Sequence, residues 1–196
     1  MKIKIKKAAA GLLAAAALFS YHGEALASVH NVNKGDTLWK ISSHYGVPIS
    51  KVMTLNKLNS HLIYPGQSIK LPSTITQAEK NLLAQLVHAE AKGEPYAGKV
   101  AVATVVLNRV DSPDFPNTIK EVIYQISNGH YAFTPVANGE INRPADGEAM
   151  KAVNEALAFR GKGKGSLFFY NPQTSTSKWI LSREVTTVIG KHRFAK

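Results

Sequence analysis

The 196-residue sequence has no cysteine. That excludes a disulfide framework and thiol catalysis. Long apolar runs are missing too. The longest lies near the N-terminus, AAAGLLAAAALF, and it is too short for a comfortable membrane span. Acidic residues are scarce, with 13 Asp and Glu against 24 Lys and Arg and a formal charge of +11. The basic residues form no dense block, and no nucleic-acid module is recognisable, so nucleic acid is not the expected partner. His30, His44, His61, His130 and His192 show no metal-ligand spacing. No metal and no cofactor are expected.

What is present begins with a processing signal. MKIKIKK is a basic leader, the apolar run follows, and Ala25-Leu26-Ala27 makes a small-x-small cleavage site before Ser28. Residues 1–27 therefore read as a signal peptide, with a retained anchor as the alternative. No stable membrane span is expected after cleavage. Removal takes four Lys and one Glu, so the charge of +11 falls by only three. An exported basic chain has anionic wall polymers and acidic glycans as natural partners.

Residues 29–72 form one unit. Val29 and Val32 fit a short strand, and Gly35-Asp36 a turn. Asp36 or Thr37 caps a helix carrying Leu38, Ile41 and Tyr45, which Gly46 ends. Pro48 opens a second helix with Val52 and Leu55 inward. Pro65-Gly66 turns the chain, and Ser68 to Leu71 alternates like a returning strand. The order is β-α-α-β. Trp39 and Tyr45 are expected in its core.

The stretch from Thr76 to Glu94 organises the rest. Thr76 and Glu79 make a capping box, and Leu82, Leu83, Leu86 and Val87 recur at helical spacing. At about 100° per residue, Glu90 falls within the arc of those four apolar residues. A carboxyl on a buried face holds its proton to higher pH, as a general acid must. The alternative is that Glu90 pairs with a buried Arg or caps a neighbouring helix. Gly93 and Pro95 end this helix.

Ala97 to Val110 reads as a helix buried on most sides. Arg109 reads as C-terminal charge on the surface, or else as an ion-pair partner for Glu90. A two-proline loop, residues 111–117, precedes a short amphipathic helix from Thr118 to Ile126. Residues 127–143 hold too many turn formers for a regular element and suit a cleft wall. Asp146 caps a helix running to about Phe159. GKGKG, residues 161–165, reads as a flexible turn rather than a phosphate loop. Leu167–Tyr170 and Glu184–Ile189 read as short strands. His88 is expected solvated or packed, and Trp179 either stacks on a sugar or packs.

Two resemblances rest on these residues. Gly35 to Ile41, Tyr45-Gly46-Val47, Leu55-Asn56, Leu58-Asn59 and Ile63 to Gln67 resemble a LysM module. Such modules bind glycans containing N-acetylglucosamine. The resemblance implies a groove near Asp36, Thr37, Leu38, Asn59 and Ile63. Leu83 to Tyr96, Val100 to Ala103, Leu107 to Val110, Phe115 to Thr118, Ala132 to Val136, Phe169 to Pro172 and Ser177 to Trp179 resemble the SleB/CwlJ-type cell wall hydrolases. That likeness implies a compact lysozyme-like fold and cleavage of peptidoglycan glycan strands by lytic transglycosylation, with Glu90 as general acid. It also implies that Phe133, Thr134, Tyr170 and Asn171 line the cleft. The approach Ser127 to Thr134 departs from the family pattern, so the resemblance does not carry over the shape of the cleft lip or the substrate preference.

The expected class is thus α+β. A signal peptide spans 1–27, a small β-α-α-β LysM domain 28–73, and a mainly helical catalytic domain with a small β element 74–196. The expected function is an exported peptidoglycan glycosidase of the cell wall or spore envelope. The alternatives are a wall-binding protein with an idle second domain, or a peptidoglycan amidase.

Overall fold

A computed structural model describes residues 28–72 and 75–196. The segment read as a signal peptide lies outside the described residues. Among these residues no helix is long and apolar enough to cross a membrane.

The N-terminal unit runs β1 (Val29–Asn31), α1 (Leu38–Tyr45), α2 (Ile49–Leu55), β2 (Ser68–Lys70). β1 and β2 pair antiparallel, with His30 opposite Ile69. The β-α-α-β order expected from the pattern is observed. Thr37, not Asp36, caps α1, its hydroxyl accepting from Lys40 N–H. Asp36 instead fastens the preceding turn by accepting from Asn33 N–H at 2.8 Å and from His30 Nε2 at 2.9 Å. Leu38, Ile41, Val47, Ile49, Val52, Ile69 and Leu71 fill the core. Two expectations fail here. Leu55 is exposed, because α2 ends at that residue and its last turn points to solvent. Trp39 is 41% exposed, since it sits one residue off the Leu38–Ile41 stripe that faces the sheet.

The second unit is built on α3 (Gln77–Glu90), α4 (Tyr96–Asp111) and α7 (Gly147–Ala158). The capping box forms on both sides, Glu79 accepting from Thr76 N–H while Thr76 accepts from Glu79 N–H. Between these helices lie α5 (Ile119–Ile123), the hairpin β3 (Ile126–Ser127) and β4 (His130–Tyr131), α6 (Thr134–Ala137) and a 3-10 turn (Glu140–Asn142). Residues 127–143, expected irregular, therefore carry short elements, and α5 is shorter than expected. Local hydrogen bonds in turns this tight give no periodicity to read. β5 (Phe168–Tyr170), α8 (Lys178–Leu181), β6 (Val185–Ile189) and β7 (His192–Ala195) close the chain, with the sheet ordered β5-β7-β6 and antiparallel.

Leu83, Leu86 and Val87 of α3 are fully buried with Val102, Val105 and Val106 of α4 and Val153 and Leu157 of α7. Leu83→Ala should cost about 2–5 kcal/mol, the usual range for a fully buried leucine. Thr76→Ala, which removes only a cap, should cost about 1 kcal/mol. Urea unfolding of both variants checks the ranking, and equal losses would contradict the burial assignment.

Candidate active site

Glu90 is the last residue of α3. The pitch that buries Leu83, Leu86 and Val87 carries it to the wall of the core, where it is mostly buried yet still reaches solvent. Three influences act on its carboxyl. Burial is the largest and raises its pKa from an ordinary 4.5 to about 7. The backbone N–H of Thr134, at the start of α6, faces it and pulls the other way. So does the positive charge of Arg109. Burial wins, because neither opposing group neutralises the carboxylate at contact. No ion pair to Glu90 lies within 4.0 Å among the described residues. The alternative of a carboxylate locked onto a guanidinium is therefore not what is found.

Arg109 does not lie on the surface. It is 7% exposed, and burial lowers its pKa to about 10. Its guanidinium carbon sits 5.0 Å from the Phe133 ring centre, 5.1 Å from Phe115 and 5.5 Å from Phe168, a cage of three aromatic faces. Nε donates to Leu167 O at 2.8 Å. The sequence held a signal for this burial: Val102, Val105, Val106 and Arg109 share one helical stripe. The three phenylalanines come from three separate segments, none of which shares a periodic pattern with α4.

The remaining expected site residues divide. Thr134 is exposed at its side chain and meets Glu90 through its backbone. Phe133 does not line a cleft; it is 2% exposed, packing on Phe169 and beneath Arg109. Tyr170 is 7% exposed, and its buried hydroxyl has no hydrogen-bond partner among the described residues. Asn171 is half-buried and spends its side-chain oxygen on Gln173 N–H. In the N-terminal unit Thr37 and Asn59 are exposed and Asp36 and Ile63 partly so, but Leu38 is a core residue. Only its backbone can face a ligand. His88, expected solvated or packed, pairs with the α7 cap Asp146 at 3.1 Å. Trp179 is exposed and edges onto Phe168 while Arg183 covers its face. Among the described residues no cluster of three His, Asp or Glu could hold a metal ion.

A family model described as Cell Wall Hydrolase matches residues 93–195, more than half of the sequence. The chain belongs to the cell wall hydrolase family. The matched stretch begins three residues after Glu90. A LysM domain model matches residues 30–72. This cell wall hydrolase is 42% identical over 128 residues to the spore cortex-lytic enzyme of Halalkalibacterium halodurans, covering 65% of this chain and 38% of the relative. It is 44% identical over 126 residues to that of Bacillus cereus, covering 64% and 47%. The chain thus spans less than half the length of these curated relatives. A solved structure, the catalytic domain of the germination-specific lytic transglycosylase SleB from Bacillus anthracis, aligns with a TM-score of 0.58 at 43% identity. It covers 64% of this chain and all of that one.

The raised pKa of Glu90 has a consequence for stability. Below pH 4.5 the carboxyl is neutral in both folded and unfolded chains and contributes nothing. Between 4.5 and about 7 the unfolded chain ionises while the folded one does not, so stability falls, by about 3 kcal/mol in full. Glu90→Gln should therefore be the more stable protein at pH 8 and equal to wild type at pH 4. Thermal melts at both pH values check this; a variant less stable at pH 8 would contradict it.

Proposed function

We propose that the chain is an exported peptidoglycan glycosidase that works as a lytic transglycosylase. The observation that carries the reading is the carboxyl of Glu90, whose pKa burial lifts to about 7 while it stays open to solvent. Neutral Glu90 donates its proton to the glycosidic oxygen between N-acetylmuramic acid and N-acetylglucosamine. The C1–O bond breaks and leaves an oxocarbenium-like centre on the muramic acid. Its own C6 hydroxyl attacks C1 and gives its proton to the Glu90 carboxylate, which restores the acid and closes a 1,6-anhydro ring.

One carboxyl suffices for both steps, whereas hydrolysis ordinarily uses two at a set separation. No second carboxylate among the described residues acts on Glu90. Glu94 accepts from Lys191 N–H, Asp111 is held by Arg160 and Asp146 by His88. Arg109 and Thr134 N–H suit the moment after proton transfer, when the carboxylate is charged. Thr37, Asp36, Asn59 and Ile63 would face the glycan at the LysM groove, and the basic and apolar N-terminal leader supports export to the cell wall or spore envelope. The likeness to spore cortex-lytic enzymes supports the same substrate class.

Glu90→Gln should reduce soluble fragments released from purified peptidoglycan by about 10²–10⁴-fold. Mass spectrometry of wild-type fragments should show anhydromuramoyl ends; reducing ends would mean hydrolysis, and freed peptides an amidase. Equal release by wild type and variant would remove Glu90 from the chemistry. Because the acid must be neutral, turnover should hold below pH 7 and fall about tenfold per unit well above it. A rate that climbs between pH 7 and 9 would contradict that assignment.

A further inference from the structure

Where the two units meet, a lysine is buried. Lys80 lies in the first half of α3 and is 6% exposed. Its Nζ donates to His44 O at 2.6 Å and to Ser43 O at 3.2 Å. Both carbonyls belong to the last turn of α1, where a helix has no donors of its own and carries partial negative charge. An ammonium there supplies the donors and the counter-charge together.

The surroundings leave little play. Gly46 follows α1 at φ 68, and a Cβ on it would stand 2.8 Å from Lys80 Cε and 2.9 Å from Ile75 Cγ1. A second seam lies beside the first. Ala158, the last residue of α7, is 1% exposed and belongs to the core of the LysM unit with Ile49 and Val52. α1 lies along α7 as well. The docked end is the C-terminal end of α1. Thr37, at the other end about 12 Å away along the helix, remains exposed. Lys80 and Glu90 ride on one helix, about 15 Å apart along its axis.

We infer that Lys80 is a positioning residue: it latches the LysM unit to α3, so that a glycan strand held by LysM meets Glu90 in one register. This rests on the glycosidase reading above. A flexible tether would average the strand over many orientations, whereas a docked module offers it in one.

The absence of cysteine makes the test clean. Lys51→Cys and Lys120→Cys, both at exposed sites on opposite units, accept spin labels. The labelled chain should give one narrow distance distribution by pulsed electron resonance. Lys80→Met, which keeps the stem and loses the donors, should broaden it, and Lys80→Arg should narrow it again. On intact glycan strands Lys80→Met should raise KM about tenfold. On short oligosaccharides that cannot span both units, kcat should not change. A broad distribution without the Lys80 change, or a narrow one with Lys80→Met, overturns the latch. Broadening with an unchanged KM overturns the positioning role. A chain that digests nothing at all removes the glycosidase reading and the KM effect with it, while the distance distributions still decide whether Lys80 latches the units.

Discussion

The desolvation of one carboxyl governs this architecture. Glu90 ends a helix whose inner face is leucine and valine, and that face sets both its place and its proton affinity. A bare charge there would be costly, so the neutral acid is the main form below about pH 7. The neighbouring cation is held off. Arg109 is engaged by three aromatic faces and the Leu167 carbonyl, and makes no contact pair with Glu90 among the described residues. A direct pair would hold Glu90 ionised and unable to donate. At its actual distance Arg109 moderates the shift without cancelling it, and favours the carboxylate once the proton has left.

The same logic recurs at the seam between the units. A buried ammonium is tolerated at Lys80 because two helix-end carbonyls need donors. α3 thus carries a buried cation near one end and a buried acid at the other. α7 backs both, with Val153 and Leu157 in the larger core and Ala158 in the smaller. The LysM unit completes its own core with a residue of its neighbour, which ties the two units together more closely than a linker alone would.

Much of this is legible in the residues. Period-3.6 apolar spacing, the Thr76–Glu79 box and the Asp146 cap locate α3, α4 and α7, because these signals are local and repeat. Glu90 stands out for the same reason: a carboxylate inside an apolar arc is an anomaly that one helix suffices to expose. The exposed Trp39 and Leu55 were misread because a short helix can turn a residue outward at its edge or its last turn without altering its apolar character. Phe133 is buried because its ring packs on Phe169 and against the Arg109 guanidinium, while the adjacent Thr134 amide faces Glu90.

By itself the sequence determined the helical framework, the β-α-α-β order of the first unit and the side of α3 on which the acid lies. These follow from backbone hydrogen bonding and from apolar periodicity within one element. Only the tertiary structure decided that Arg109 is caged rather than paired, that the Thr134 amide reaches Glu90, and that Lys80 bridges the two units. Each depends on groups from separate elements of the chain meeting at a few ångströms. Electrostatics at that range turns on distance and desolvation, and no pattern along the chain encodes either.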